Sequence, residues 1–121
     1  MIKNENTKNY DLEERTFEFA KKVRDFIKKL SRTVGNIEDG KQLIRSSGSI
    51  GANYIEANEA LSKKDFVMRI KISRKEAKES NFWLGLIDID KNNKELENER
   101  LSLKNESIEL MKIFSAIMRK S

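Results

Sequence analysis

The sequence predicts an all-α protein, and three observations support this class. The chain of 121 residues has no proline and only five glycines, and charged and apolar residues each make up 37% of it. This composition favours helices over strands or disorder. Apolar residues recur at helical spacing in four successive segments, with short polar connections between them. We therefore expect an up-down-up-down antiparallel four-helix bundle, folded as one domain over residues 1–121.

The first helix is predicted over residues 11–34, after a polar segment, residues 1–10, that we expect to fray. Asp11 and Glu14 have the spacing of a capping box. Val34 extends the apolar stripe, and Gly35 is a candidate left-handed residue at the end of the helix. The rest of the stripe consists of Leu12, Phe19, Val23, Phe26, Ile27 and Leu30.

The second helix is predicted over residues 37–61, although its centre is rich in small residues. Residues 46–53 read SSGSIGAN, a composition that has poor helix propensity and often marks a loop. Because the apolar stripe continues in phase through this cluster, we favour a helix that small side chains allow to pack closely. That stripe consists of Leu43, Ile50, Tyr54, Ala57 and Leu61, and Asn53 beside it is expected to form hydrogen bonds across helices.

The third helix is predicted over residues 63–90, and it carries two apolar stripes where a core-facing helix needs one. Ser62 and Asp65 form its capping box. We assign the first stripe to the core: Phe66, Ile70, Ser73, Ala77, Leu84 and Ile87. The second stripe must face a partner subunit or a ligand, and we predict that it forms an oligomer interface: Met68, Ile72, Trp83 and Leu86.

A basic stripe lies on the same helix. Residues 62–78 contain seven basic and two acidic side chains. Their net charge, 7 − 2 = +5, equals the net charge of the whole chain. A face of this kind can bind nucleic acid through its phosphates, although charge runs are more often simply solvated. Phe82, at the edge of the stripe, could stack on a base. The candidate nucleic-acid-binding residues are Lys63, Lys64, Lys71, Arg74, Lys75 and Lys78.

The fourth helix is predicted over residues 95–119, after the polar connection DKNNKE at residues 90–95. Its core positions follow a heptad, which is the spacing of helices that pack along a narrow seam. The heptad consists of Leu96, Leu103, Leu110 and Ile117, supported by Phe114 and Met118.

Composition argues against catalysis. The chain has neither cysteine nor histidine, so it lacks thiolate ligands, the commonest general base and the Glu-x-x-His motif of di-iron bundles. Glu56 and Glu59, like Glu76 and Glu79, are spaced for a carboxylate site, which we consider the weakest interpretation. We expect no enzyme activity, no cofactor and no metal. Without an apolar signal segment or a membrane span, we expect a cytoplasmic protein.

One run of the sequence resembles a known family. Ser49-Ile50, Ala52-Asn53, Glu56-Ala57, the segment 62–66, Lys75-Glu76-Ala77 and Trp83-Leu84 are similar to the conserved run of the bacterial four-helix-bundle proteins. These proteins are also called the ribosomal RNA intervening-sequence family, because members were first noticed inside intervening sequences of large-subunit ribosomal RNA genes. Some members have been labelled ribosomal proteins for this reason.

The resemblance implies an up-down bundle that assembles into a ring, typically a homopentamer, with no established enzymatic activity. A related accessory protein of diversity-generating retroelements is a basic pentameric barrel that binds nucleic acid and a reverse transcriptase. We therefore expect a homo-oligomer that binds RNA or another nucleic acid through its basic helix face. The alternative is a structural or adaptor protein that binds a partner polypeptide and has no role with nucleic acid.

Overall fold

Four long helices make up the fold. The computed structural model describes the backbone of residues 4–121 and the side chains of residues 12–121. Within these residues every element is an α-helix, in the order α1 (Asn4–Lys28), α2 (Val34–Asn58), α3 (Lys63–Leu86) and α4 (Lys94–Lys120).

The helices form an antiparallel up-down-up-down bundle, as the sequence predicts. Helix α1 packs on α2, α2 on α3, α3 on α4, and α4 closes the bundle against α1. In the described part of the chain the diagonal pairs α1–α3 and α2–α4 have no Cα atoms within 8 Å of each other, so they meet only through side chains. The connections of four to seven residues are too short for any crossover, and this enforces antiparallel neighbours.

The boundary between α1 and α2 differs from the prediction. Helix α1 ends at Lys28, and α2 begins at Val34 because the Thr33 hydroxyl caps it, accepting a hydrogen bond from the Asn36 amide at 3.1 Å. Val34 is 81% exposed, so it does not extend the core stripe, and Gly35 lies in the first turn of α2. No described glycine has a positive φ, so a left-handed cap at Gly35 was the wrong prediction; a threonine cap occupies the junction instead.

The other boundaries are closer to the prediction, apart from the start of α1. That helix begins at Asn4, not at Asp11, which lies inside it. The backbone of residues 4–10 is helical, residues 1–3 lie outside the described residues, and fraying of this segment stays a prediction. Helix α2 ends at Asn58, which leaves Leu61 fully exposed in the connection, not in the core as predicted. Ser62 caps α3 as predicted, accepting from the Asp65 amide, but the helix ends at Leu86, four residues early.

The core stripes of all four helices meet in one apolar cluster. The stripe assigned to the core of α3 is buried except for Phe66, which is partly buried. From α4, Phe114 is fully buried and lies against Tyr54 of α2, with ring centroids 5.9 Å apart. Ile117 packs at the edge of this cluster and is only partly buried.

Small hydroxyl side chains join α2 to α3. Ser46 and Ser80 are fully buried, and their hydroxyl oxygens lie 2.8 Å apart. Ser73 donates to the Ile50 carbonyl at 2.9 Å, a bond that requires the two backbones to lie close together. Asn53 accepts a hydrogen bond from Arg69 of α3 at 2.9 Å. The cluster at residues 46–53 is therefore helical, and the cross-helix bond predicted for Asn53 is confirmed.

At one end of the bundle, two side chains tie the connections to α3. Asn36 donates to the carbonyls of Ser31 and Asp88, and its oxygen accepts from the Asp88 amide at 2.8 Å. Arg100 of α4 donates to the carbonyls of Leu84, Gly85 and Ile87. These carbonyls have no partner within a helix that ends here, so the guanidinium caps α3. Glu97 holds Arg100 in place, and their hydrogen bond lowers the pKa of Glu97.

Gly51 marks the closest approach of α2 to α1. A Cβ at this position would lie 2.8 Å from the Thr16 hydroxyl oxygen and 3.2 Å from the Thr16 Cβ. Thr16 is 1% exposed, and its hydroxyl is held by hydrogen bonds to the carbonyls of Leu12 and Glu13, so it cannot swing away without losing them.

We predict that Gly51→Ala destabilises the protein by about 1–2 kcal/mol, because the overlap with Thr16 outweighs the higher helix propensity of alanine. Gly35→Ala is the matched control, since no described atom beyond its chain neighbours and its own helix backbone lies within 4 Å of the methyl group that it adds. It should stabilise the protein by about 0.5–1 kcal/mol. Urea unfolding followed by circular dichroism measures both, and a Gly51→Ala midpoint at or above that of the parent would contradict the packing argument.

Candidate functional site

The site begins with the orientation of α3. Ile70, Ala77 and Leu84 are fully buried on one side of this helix, so its opposite side faces outward. That outward side carries six positions at alternating intervals of four and three residues, a period of 3.5 that keeps them in one line along the helix. They are Met68, Ile72, Lys75, Glu79, Phe82 and Leu86. We call the four apolar members, Met68, Ile72, Phe82 and Leu86, the α3 ridge.

The residues predicted to form an oligomer interface differ in exposure. Met68 and Leu86 are 48% and 50% exposed, and Ile72 is partly buried. Trp83 is partly buried against the hydrophobic core, and its indole nitrogen is buried with no acceptor among the described residues. Trp83 therefore supports its own protomer. Phe82, which stands edge-on to Trp83, is 59% exposed and is the more exposed of these two aromatic residues of α3.

A basic groove lies between α3 and the C-terminal half of α4. It has a volume of about 840 Å³, and four of the six predicted nucleic-acid-binding residues line it: Lys71, Arg74, Lys75 and Lys78. Helix α4 adds Lys112 and Arg119 on the facing wall. Lys63 and Lys64, the other two, are exposed in the first turn of α3 and do not line the groove.

The charge of this groove is unbalanced. No carboxylate is found among its described lining residues. Lys112 lies 3.8 Å from Glu109, and an exposed ion pair of this kind contributes little to stability. For the four α3 cations, the described part of the chain offers neither an ion pair nor a side-chain hydrogen bond. Their mutual repulsion is relieved only by solvent and counterions, so an incoming anion meets no internal competitor.

The floor of the same groove is apolar. Met68 and Ile72, two members of the α3 ridge, line it together with Met111 of α4. The residues predicted for self-assembly and those predicted for nucleic-acid binding therefore share one surface at this end of α3. Sequence reasoning missed Met111, Lys112 and Arg119. The signal was the seven-residue interval from Lys112 to Arg119, which places both on one face of α4.

Acidic side chains on α3 lie on its other flank, toward α2. Glu76 is 6% exposed, and Arg45 of α2 lies 3.3 Å from its Oε1, an oxygen that receives no hydrogen bond of good geometry within the described residues. Arg45 also donates to Glu79 at 3.0 Å. Arg45 donates a hydrogen bond to the other oxygen, Glu76 Oε2, at 3.4 Å. This hydrogen bond, and then the negative charge of both carboxylates, raise the pKa of the Arg45 guanidinium.

The predicted carboxylate pairs do not converge. Glu56 is exposed on α2 and Glu59 is exposed directly after the helix, whereas Glu76 is paired with Arg45. Over the residues that the structure describes, no three acidic side chains are grouped closely enough to hold a metal ion. None of the helices in this part of the chain is long and apolar enough to cross a membrane.

Comparison with known proteins agrees with the fold. The molecule is an all-α four-helix bundle, and the family model described as "23S rRNA-intervening sequence protein" matches residues 8–116. The chain belongs to this family, as the resemblance implied. Among curated proteins none matches the sequence.

A solved structure supports the same assignment. The chain is similar to a protein of unknown function from the S23 ribosomal protein family of Bacteroides thetaiotaomicron, with 32% identity and a TM-score of 0.74. The match covers 88% of this chain and 96% of that one. Neither the family description nor this neighbour supplies a catalytic residue.

We predict that Trp83→Ala lowers the free energy of unfolding by about 3 kcal/mol, because it removes an indole that packs on the core. Trp83→Phe should cost less than about 1 kcal/mol, because it keeps most of the packing and deletes a buried N–H that has no acceptor. Chemical denaturation at one fixed protein concentration distinguishes the two. Equal, small losses in both variants would mean that Trp83 does not support the protomer.

Proposed function

We propose that this protein is a non-enzymatic homo-oligomer, a pentameric ring, that binds RNA or another nucleic acid through the groove between α3 and α4. The observation that carries the binding half is the composition of that groove. Six cations from two helices surround it, and none of its described lining residues is acidic. The alternative interpretation of the basic stripe, a solvated surface, does not account for cations that converge from a second helix.

The chemistry of the groove suits a phosphate backbone. Each lysine or arginine that neutralises a phosphate releases a counterion, and this entropy drives binding without regard to base sequence. The apolar side chain of Met111, which lines the groove from α4 and is not part of the α3 ridge, gives an unstacked base a surface to lie against. We therefore favour single-stranded or looped RNA over a regular duplex, whose bases are hidden from such a side chain.

Assembly is supported by the exposed α3 ridge and by the family resemblance. Phe82, Leu86 and Met68 are each about half exposed in one protomer, which is unusual for large apolar side chains in line on one helix. Self-association would remove them from water. The absence of enzyme activity is supported by the lack of histidine and cysteine and by the pairing of Glu76 with Arg45.

The test is the salt dependence of RNA affinity, measured by fluorescence anisotropy with a labelled single-stranded RNA. If about four phosphates are neutralised, log K should fall with log salt with a slope of about −3. Arg74→Ala/Lys78→Ala should reduce the magnitude of that slope by about 1.4, since each single-strand contact contributes about 0.7.

The matched control is Lys28→Ala/Lys41→Ala, which removes the same charge from exposed positions on α1 and α2. It should leave the slope unchanged. Equal effects of both double variants would mean that net charge, not the groove, governs binding. An absence of any complex at low salt would remove the nucleic-acid half, and capture of a partner polypeptide in its place would favour the adaptor alternative.

A further inference from the structure

A second apolar groove lies between α1 and α2, on a different side of the bundle from the α3 ridge. It has a volume of about 340 Å³. Phe17 and Ile55, 60% and 49% exposed, stand along it, and Gly48 and Ala52 leave its wall open. We call it the α1/α2 groove. The nucleic-acid proposal does not use it.

The groove and the α3 ridge match in periodicity. On α1 the residues that line the groove include Glu13, Phe17, Ala20 and Arg24, at intervals of four, three and four residues, with Thr16 and Lys21 beside this line. The outward line of α3, which contains the ridge, repeats the same intervals. Two stripes with a 3.5-residue period can stay in register over several turns, as the seam of a coiled coil does. The protruding ridge residues are large, and Gly48 and Ala52 in the wall of the groove are small.

Their charges are also complementary. Along α1, Glu13 comes first and Lys21 eight residues later; along α3, Lys71 comes first and Glu79 eight residues later. Eight residues span about 12 Å of helix. A parallel alignment of the two helices therefore brings Lys71 against Glu13 and Glu79 against Lys21 at the same time. An antiparallel alignment would place like charges together.

The four charged side chains are accessible to a partner. Within the described residues, Lys21 and Lys71 form no ion pair or side-chain hydrogen bond. Glu13 accepts a hydrogen bond from Asn58 at 3.3 Å and is otherwise exposed. Glu79 accepts from Arg45, but 39% of its side chain remains exposed to a partner.

We propose that the α3 ridge of one copy docks in the α1/α2 groove of the next copy, with α3 parallel to the α1 of its neighbour. Such a contact joins two different surfaces, so it propagates from copy to copy and closes into a ring when the rotation permits. The proposal rests on the self-assembly proposed above and identifies its two surfaces. Arg74, Lys112 and Arg119, toward α4, stay outside the contact and available to nucleic acid.

A competing arrangement pairs the ridge with itself. In an antiparallel pair of α3 helices, Met68 would meet Leu86, Ile72 would meet Phe82, and Lys75 would meet Glu79. This arrangement leaves the exposed apolar side chains of the α1/α2 groove in water, and it stops at two copies. The experiment must therefore separate the two arrangements.

The chain has no cysteine, so engineered thiols report on one contact at a time. The probes are Ile72→Cys on the ridge, Ile55→Cys in the groove, and both together, each treated with a short bismaleimide. The double variant should give a ladder of covalent products that ends at the number of copies in the ring. Each single variant should give no covalent dimer. Ile72→Cys/Phe82→Cys places thiols at two positions that meet between copies only in the self-paired ridge, and a covalent dimer from this variant would overturn the proposal in favour of that arrangement.

Charge exchange tests the register. Lys21→Glu and Glu79→Lys should each weaken assembly about tenfold, and the combined variant should recover most of that loss. Lys22→Glu, an exposed neighbour outside the groove, is the control of equal charge and should have no effect. Sedimentation equilibrium measures the assembly constants without nucleic acid. Losses that add in the combined variant would overturn the assigned register.

The results that would overturn the two docking surfaces differ from those that would overturn the proposed function. A multimeric mass without a ladder from the double thiol variant overturns the two surfaces but leaves self-assembly intact. A mass of 14.1 kDa in solution, that of one chain, overturns both. Neither result affects the salt dependence of RNA binding, which is measured separately.

Discussion

The close contact between α2 and α3 is the constraint on which the rest of the molecule depends. Ser73 reaches the Ile50 carbonyl, and Ser46 meets Ser80, only because small side chains let these two backbones approach. A buried hydroxyl without a partner costs about 1–3 kcal/mol, so these bonds specify one rotation of α3. That rotation turns the core stripe inward and leaves the ridge and the basic side chains facing out. The surface properties of α3 thus follow from serines that are themselves fully buried.

Much of the fold could be predicted because the signals were local. Helical periodicity identified four helices, and Ser62 with Asp65 marked the start of α3 correctly. The junction of α1 and α2 was wrong because two signals compete there: Gly35 suggests a helix end, whereas Thr33 can cap the next helix. Only the tertiary bonds of Asn36 decide between them. The prediction that Leu61 lies in the core was wrong for a related reason, since the apolar periodicity of α2 continues in the sequence after the helix has ended.

The candidate site was less predictable, because it combines residues from two helices. The four α3 cations were visible in sequence, but nothing there showed that Lys112 and Arg119 of α4 would face them. Phe82 and Trp83 are adjacent in sequence, so they point about 100° apart around the helix axis. That angle alone does not decide which of the two side chains packs against the core. The structure packs Trp83, partly buried, against the core and leaves Phe82 exposed. Tryptophan is enriched at interfaces, and a contact between Trp83 and a partner stays a prediction.

The pair of hydrogen bonds between the Asn36 side chain and the backbone of Asp88 has a consequence for motion. These bonds join the first turn of α2 to the residues that follow α3, and the two residues are 52 positions apart in sequence. Neither segment can open without breaking the same pair of hydrogen bonds, so both should exchange their amide protons as one cooperative unit. The end of the bundle near Arg100 is thereby clamped, whereas among the described residues the connection from α2 to α3 at the opposite end has no such hydrogen bond to another helix, so we expect its amide protons to exchange faster.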